Sequence, residues 1–94
     1  MSRRDEYIAK MKLQIDELNA SVNKLELDAH AAKRDAETKY KEEMEKLRAQ
    51  SRLAINKLDE LLVAGESSWE STVAETEKVR DAFASSFHYF KSQF

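Results

Sequence analysis

From Ile8 onward the apolar side chains recur at Met11, Ile15, Leu18, Val22, Leu25, Ala29, Ala32 and Ala36, in steps that alternate between three and four. Every a and d position of four heptads is therefore filled. That predicts a left-handed coiled-coil seam, where a lone amphipathic helix would show a wider stripe of period 3.6. Ile8, Ile15 and Val22 at a, with Met11, Leu18 and Leu25 at d, favour two parallel strands. Leu13 and Leu27 fall at f, on the far side, with Ala9, Ala20 and Ala31 near them. This second stripe reads either as ordinary exposed leucines or as the mark of a second neighbour, hence a tetramer or larger assembly.

Beyond Ala36 the seam continues through Tyr40, Met44, Leu47, Ser51, Ala54, Leu58 and Leu61. The steps from Ala32 to Ala36 and from Ala36 to Tyr40 are both four, a stutter that locally unwinds a supercoil. Ile55 and Leu62 widen the stripe, as suits a helix packed on more than one partner. Asp35–Lys39, Glu37–Lys41 and Glu42–Lys46 place an acid four residues before a base. Each such pair is worth about 0.2–0.5 kcal/mol to an isolated helix. Ser2 or Asp5 can cap the start, and nothing from there to Ala64 breaks a helix. The expectation is one helix over 3–64.

The chain's one glycine is Gly65, and it has no proline. Gly65 suits the left-handed position just past a helix end, and Ser67 with Glu70 reads as a capping box. A turn over 64–67 and a second helix over 68–93 follow. The face of that helix is Trp69, Val73, Thr76, Phe83, Phe87, Phe90 and Phe94, with Arg80 taking one stripe position. Folding about Gly65 pairs Trp69 with Leu62, Phe83 with Leu47, Phe87 with Met44, Phe90 with Tyr40 and Phe94 with Ala36. The expected hairpin core is thus Tyr40, Met44, Leu47, Leu58, Leu62, Trp69, Val73, Phe83, Phe87, Phe90 and Phe94. The second helix ends where the heptads stutter, so residues 8–36 are left as an uncovered arm. An isolated helix is marginal in water. The reading therefore demands a second chain along Ile8, Met11, Ile15, Leu18, Val22, Leu25, Ala29, Ala32 and Ala36.

Composition narrows the function. Charged residues are 36% and apolar residues 41%, at a mean hydropathy of −0.72, the profile of long helices. Net charge is −2 with both signs interspersed, so no basic block is present to neutralise phosphates and nucleic acid is not an expected partner. No apolar run approaches the ~20 residues that span a bilayer, and no apolar stretch follows Arg3 and Arg4 as a secretory signal requires. A cytoplasmic location is expected. The absence of cysteine excludes disulfides and thiol chemistry.

Candidate chemistry is sparse. Glu26 and His30 share a helix face at i,i+4, but His88 is the one other histidine and no repeat of a Glu-x-x-His motif accompanies them. No Gly-x-Ser-x-Gly turn and no phosphate-cradling loop occurs. No metal, cofactor or catalytic group is expected, and the chain reads as a non-enzyme. The phenylalanine stripe from Phe83 to Phe94 reads first as core. Its alternatives are a protein-docking surface and a lipid-facing helix. Lys78, Arg80 and Lys91 are outnumbered there by Glu70, Glu75, Glu77 and Asp81, which disfavours anionic lipid.

The run Arg4-Asp5-Glu6-Tyr7-Ile8-Ala9-Lys10-Met11-Lys12, then Ile15 to Asn19, resembles the start of a group of small, uncharacterised bacterial coiled-coil proteins. The resemblance continues at Tyr40, at Leu58 to Leu61 and at Gly65 to Trp69. It implies a bacterial, helical, self-associating protein and carries no activity. In shape alone the chain is similar to coiled-coil holdase chaperones, from which it departs by having neither a signal peptide nor a basic surface. The expected fold is all-α, a long coiled-coil helix followed by a shorter antiparallel one, in a homo-oligomer. The expected role is a scaffold or adaptor that binds itself or another helical protein. The alternative is an amphipathic protein that binds lipid surfaces or unfolded clients through its aromatic helix.

Overall fold

The structure, a computed structural model, describes residues 2–34 and 36–94. Three helices follow one another, α1 (Arg3–Ala31), α2 (Thr38–Val63) and α3 (Glu66–Gln93), and the described residues contain no strand. The fold is all-α.

α1 starts where the sequence provides a cap. Ser2 is extended, and its hydroxyl accepts the Asp5 amide at 3.1 Å, while Asp5 and Glu6 face the positive end of the helix dipole. The helix then runs unbroken to Ala31. There the expectation of one helix over 3–64 fails. Lys33 takes a left-handed φ of 60°. Its amide donates to the His30 carbonyl at 3.0 Å, and the Arg34 amide donates to the Ala29 carbonyl at 2.8 Å. This pair of bonds is a Schellman ending, built here on lysine in place of the usual glycine.

Magnitudes explain why the chain turns at a site that local propensity favours as helix. A left-handed L-residue costs roughly 1–2 kcal/mol. Each large aliphatic side chain fully removed from water returns about 1.5–3 kcal/mol. Folding back buries Met11, Ile15 and Val22, of which Ile15 and Val22 are 0% exposed. An unbroken helix in a single chain would leave all three in water.

Asn19 meets Ser51 and Asn23 meets Arg48, so α1 and α2 run antiparallel. Lys57 meets Glu75 and Tyr40 meets Phe90, so α2 and α3 do as well. α1 is consequently parallel to α3, with Tyr7 on Glu77 and Arg34 on Phe94. The result is an up-down-up three-helix bundle of 48 × 21 × 18 Å. Its core takes Met11, Ile15, Val22 and Ala29 from α1, and Tyr40, Met44, Leu47, Ala54, Leu58 and Leu61 from α2. Phe83, Phe87 and Phe90 of α3 complete it. Ile8, Leu18, Leu25, Trp69, Val73 and Phe94 pack against it half-buried.

The second turn also departs from expectation. Gly65 is extended (φ −81°, ψ 175°) and serves as the N-cap of α3, preceded by an extended Ala64. Ser67 and Glu70 lie exposed inside α3, which already starts at Glu66, so they do not form the expected capping box. The Ser68 amide instead donates to the Gly65 carbonyl at 3.2 Å. Leu62, expected in the core, is exposed, and Leu61 one position earlier is buried. Leu61 continues the 3,4 spacing of Leu47, Ala54 and Leu58, whereas Leu62 sits beside that stripe.

Candidate functional site

Met11, Ile15, Val22 and Ala29 of the expected self-association seam are covered by the chain's own α2 and α3. Ile8, Leu18 and Leu25 are half-buried beside them, and Ala32 and Ala36 are exposed next to the turn. As a surface for a second chain, the strip is already occupied over most of its length. The phenylalanine stripe is likewise inside: Phe83, Phe87 and Phe90 are buried, leaving Phe94 half-exposed and Tyr89 exposed at the end of α3.

Each end of the bundle is held by an arginine, Arg4 in the first turn of α1 and Arg34 in the turn that follows it. At one end the Arg4 guanidinium donates to the Ala64 carbonyl and lies 4.1 Å from the centroid of the Trp69 ring. Tyr7 packs edge-on to Trp69 at 5.9 Å, and its hydroxyl donates to Glu77 Oε1 at 2.7 Å. Burial, then the hydrogen bond to the Glu77 carboxylate, pushes the Tyr7 hydroxyl up to about 12. At the other end Arg34 Nη1 donates to the Phe94 carbonyl at 3.1 Å, with its guanidinium 5.7 Å from the Phe94 ring. Phe94 and Phe90 pack on Tyr40 there, at 5.7 and 5.5 Å.

The middle of the bundle is polar where a strict coiled coil would be apolar. The buried Ser51 hydroxyl donates to Asn19 Oδ1. One step along, Arg48 donates to Glu26 at 2.8 Å and to Asn23 at 2.7 Å. On the α3 side Arg80 donates to Gln14 at 2.9 Å and to Asp81. Thr76, fully buried, satisfies its hydroxyl on the Thr72 carbonyl at 2.7 Å. Lys57 bridges Glu60 and Glu75, and hydrogen bonds to both carboxylates raise its pKa. Among the expected surface pairs, Lys46 is joined to Glu43, and Asp35 lies outside the described residues.

Of these contacts, Ser51–Asn19, Arg48–Glu26, Arg80–Gln14 and Lys57–Glu75 join one helix to another. Among the described residues no cluster of three or more His, Asp or Glu is arranged to hold a metal ion. Glu26 is engaged by Arg48. A largely apolar cleft of about 380 Å3 lies at the Arg34 end between Leu25, Ala29, Tyr40, Phe90 and Phe94. No helix formed by the described residues is long and apolar enough to cross a membrane.

What stays outside the core is a set of large aliphatic side chains. Leu13 is 59% exposed, Leu27 71%, Leu62 57% and Val63 84%, and Ile55 is exposed as well. Leu13, Ala20 and Leu27 are spaced by heptads on the outer face of α1, and Ile55 and Leu62 by one heptad on α2. The sequence signals this stripe through the f-position leucines. The arginine clamps carry no such signal, because a surface arginine and a clamping one look alike without the third helix. Ser51 is different: a polar residue on an apolar seam already marks a position that needs a polar partner. No known protein family matches the chain, and no curated protein or solved structure is similar to it.

Proposed function

We propose that this chain is a non-enzymatic helical interaction module, a cytoplasmic scaffold or adaptor that works by self-association. The observation that supports the reading is the heptad-spaced aliphatic stripe on the outer faces of α1 and α2. Single exposed leucines are normal, but apolar side chains repeated at heptad spacing form a ridge that fits the groove of another helix. Leu13 and Leu27 supply the ridge on α1, and Ile55 and Leu62 supply it on α2. Charges of both signs are interspersed around this stripe, so they set orientation more than affinity.

Sedimentation of the wild type beside a Leu13→Glu/Leu27→Glu variant tests this. With both proteins refolded dilute, so that α1 packs within its own chain, the variant is expected to sediment as a monomer with unchanged helicity and melting, while the wild type associates. A wild-type chain that stays monomeric at high micromolar concentration would sink the reading.

A further inference from the structure

The first turn stops two helices at places where neither sequence provides a good stop. α1 ends on a left-handed Lys33, although glycine is the residue that tolerates this conformation. α2 begins at Thr38 behind an N-cap, Glu37, whose side chain makes no cap hydrogen bond, and no acidic residue occupies its first turn. The segment Ala32-Lys33-Arg34-Asp35-Ala36-Glu37 has neither glycine nor proline and is rich in strong helix formers. The apolar seam also passes straight through it, from Ala29 by Ala32, Ala36 and Tyr40 to Met44. In the closed chain Ala32 and Ala36 are exposed, so these two seam positions cover nothing. Local preference and tertiary fold disagree at this one point.

We propose that the turn between α1 and α2 hinges at Lys33, and that a second copy of this chain is the partner it serves. Two copies open their hinges and exchange α1. In each copy α1 and α2 then form one helix over 3–63, and each α1 packs on the other copy's α2 and α3. The contacts between Asn19 and Ser51, Tyr7 and Glu77, and Arg4 and Trp69 are made again, now between chains. Exchange adds three gains that the closed form lacks. Lys33 leaves its left-handed conformation, the α2 start without a side-chain cap disappears, and the alanine face at 32 and 36 lies against its antiparallel copy at the two-fold axis. Opposing them is the loss of freedom on association and of the Arg34 contact with Phe94. The balance is therefore set by concentration. The route differs from docking through the Leu13–Leu27 ridge, because it uses the inner face of α1 and leaves the outer face free.

The cysteine-free chain permits a clean test. Asn19→Cys with Ser51→Cys places one thiol on α1 and one on α2 where the native side chains meet. The protein is refolded at low and at high concentration, oxidised, and run both on a denaturing, non-reducing gel and by sedimentation. Dimers refolded at high concentration are expected to carry the disulfide between chains and to run at twice the chain mass. Dimers whose disulfide lies within each chain would overturn the proposal and point to outer-face docking. Lys33→Gly and Lys33→Val, made in the otherwise native chain, give a second reading that does not depend on the cysteine pair. Each dimer opens two hinges, so glycine, comfortable in the turn and poor in a helix, should weaken dimerisation at least about tenfold. Valine, which tolerates a positive φ worse than lysine, should strengthen it. Equal dimer fractions in the glycine, valine and native chains would overturn the hinge.

Discussion

The two turns of this bundle invert what their residues advertise. The Gly65 turn holds the one glycine, yet that glycine sits at φ −81° and a β-carbon added to it would meet open space. The turn after Ala31 has no glycine, yet it contains the left-handed residue, Lys33. A glycine is therefore not proof of a glycine-only conformation, and a run of helix formers is not proof of a helix. The second turn is made by local chain geometry. The first is imposed from a distance, by the apolar face of α1 finding a surface to cover.

The sharpest way to break this contrast is to remove the distant cause. Ile15→Ala should cost about 2–5 kcal/mol in urea unfolding, the range for a fully buried aliphatic residue reduced to alanine. A loss below about 1 kcal/mol would mean that α1 is not held to the bundle by its core face. Next in size is the strain itself. Lys33→Gly should raise stability by about 0.5–1 kcal/mol, since the left-handed penalty exceeds the entropy that glycine adds to the unfolded chain. Gly65→Ala should change stability by less than about 0.5 kcal/mol, because the gain in unfolded-state stiffness is offset by a poorer N-cap. A strongly destabilising Gly65→Ala with a neutral Lys33→Gly would reverse the assignment of the two turns.

An effect confined to alkaline pH concerns the end of the bundle at the Gly65 turn. Tyr7 is pushed up from 10 to about 12 by burial and by Glu77, so the folded state favours its neutral form. That contribution is fully present below pH 10 and is lost as pH rises through about 12. Urea midpoints measured across this window should fall less steeply for Tyr7→Phe than for the wild type. Parallel slopes would show that the hydroxyl does not couple folding to pH.

Much of this was legible in the residues, and the misses share a cause. Helical character, the Ser2 cap and the core-facing role of Met11, Ile15 and Val22 follow from local spacing and capping chemistry. Which surface those side chains would meet does not, because a heptad seam is equally satisfied by another chain or by its own. The break at Ala31 belongs to that second kind of fact. So does the exposure of Leu62, which depends on how far α2 is rotated against two neighbours instead of one. Arg4 and Arg34 became meaningful once α1 lay along α3. The exposed aliphatic stripe was visible in outline, as leucines at f, while Ile55 and Leu62 looked like a broadened core.

Arg4 in the first turn of α1 and Arg34 just past its last residue grip opposite ends of α3, one on Trp69 and the other on Phe94. α1 is thereby a caliper, and the span between its jaws is matched to the length of α3. Inserting one residue into the middle of either helix moves everything beyond it by about 1.5 Å and 100°. One jaw then misses its ring. A chain of this design does not grow or shrink one residue at a time; α1 and α3 have to change length together, and α2, which carries the chain back between them, has to follow.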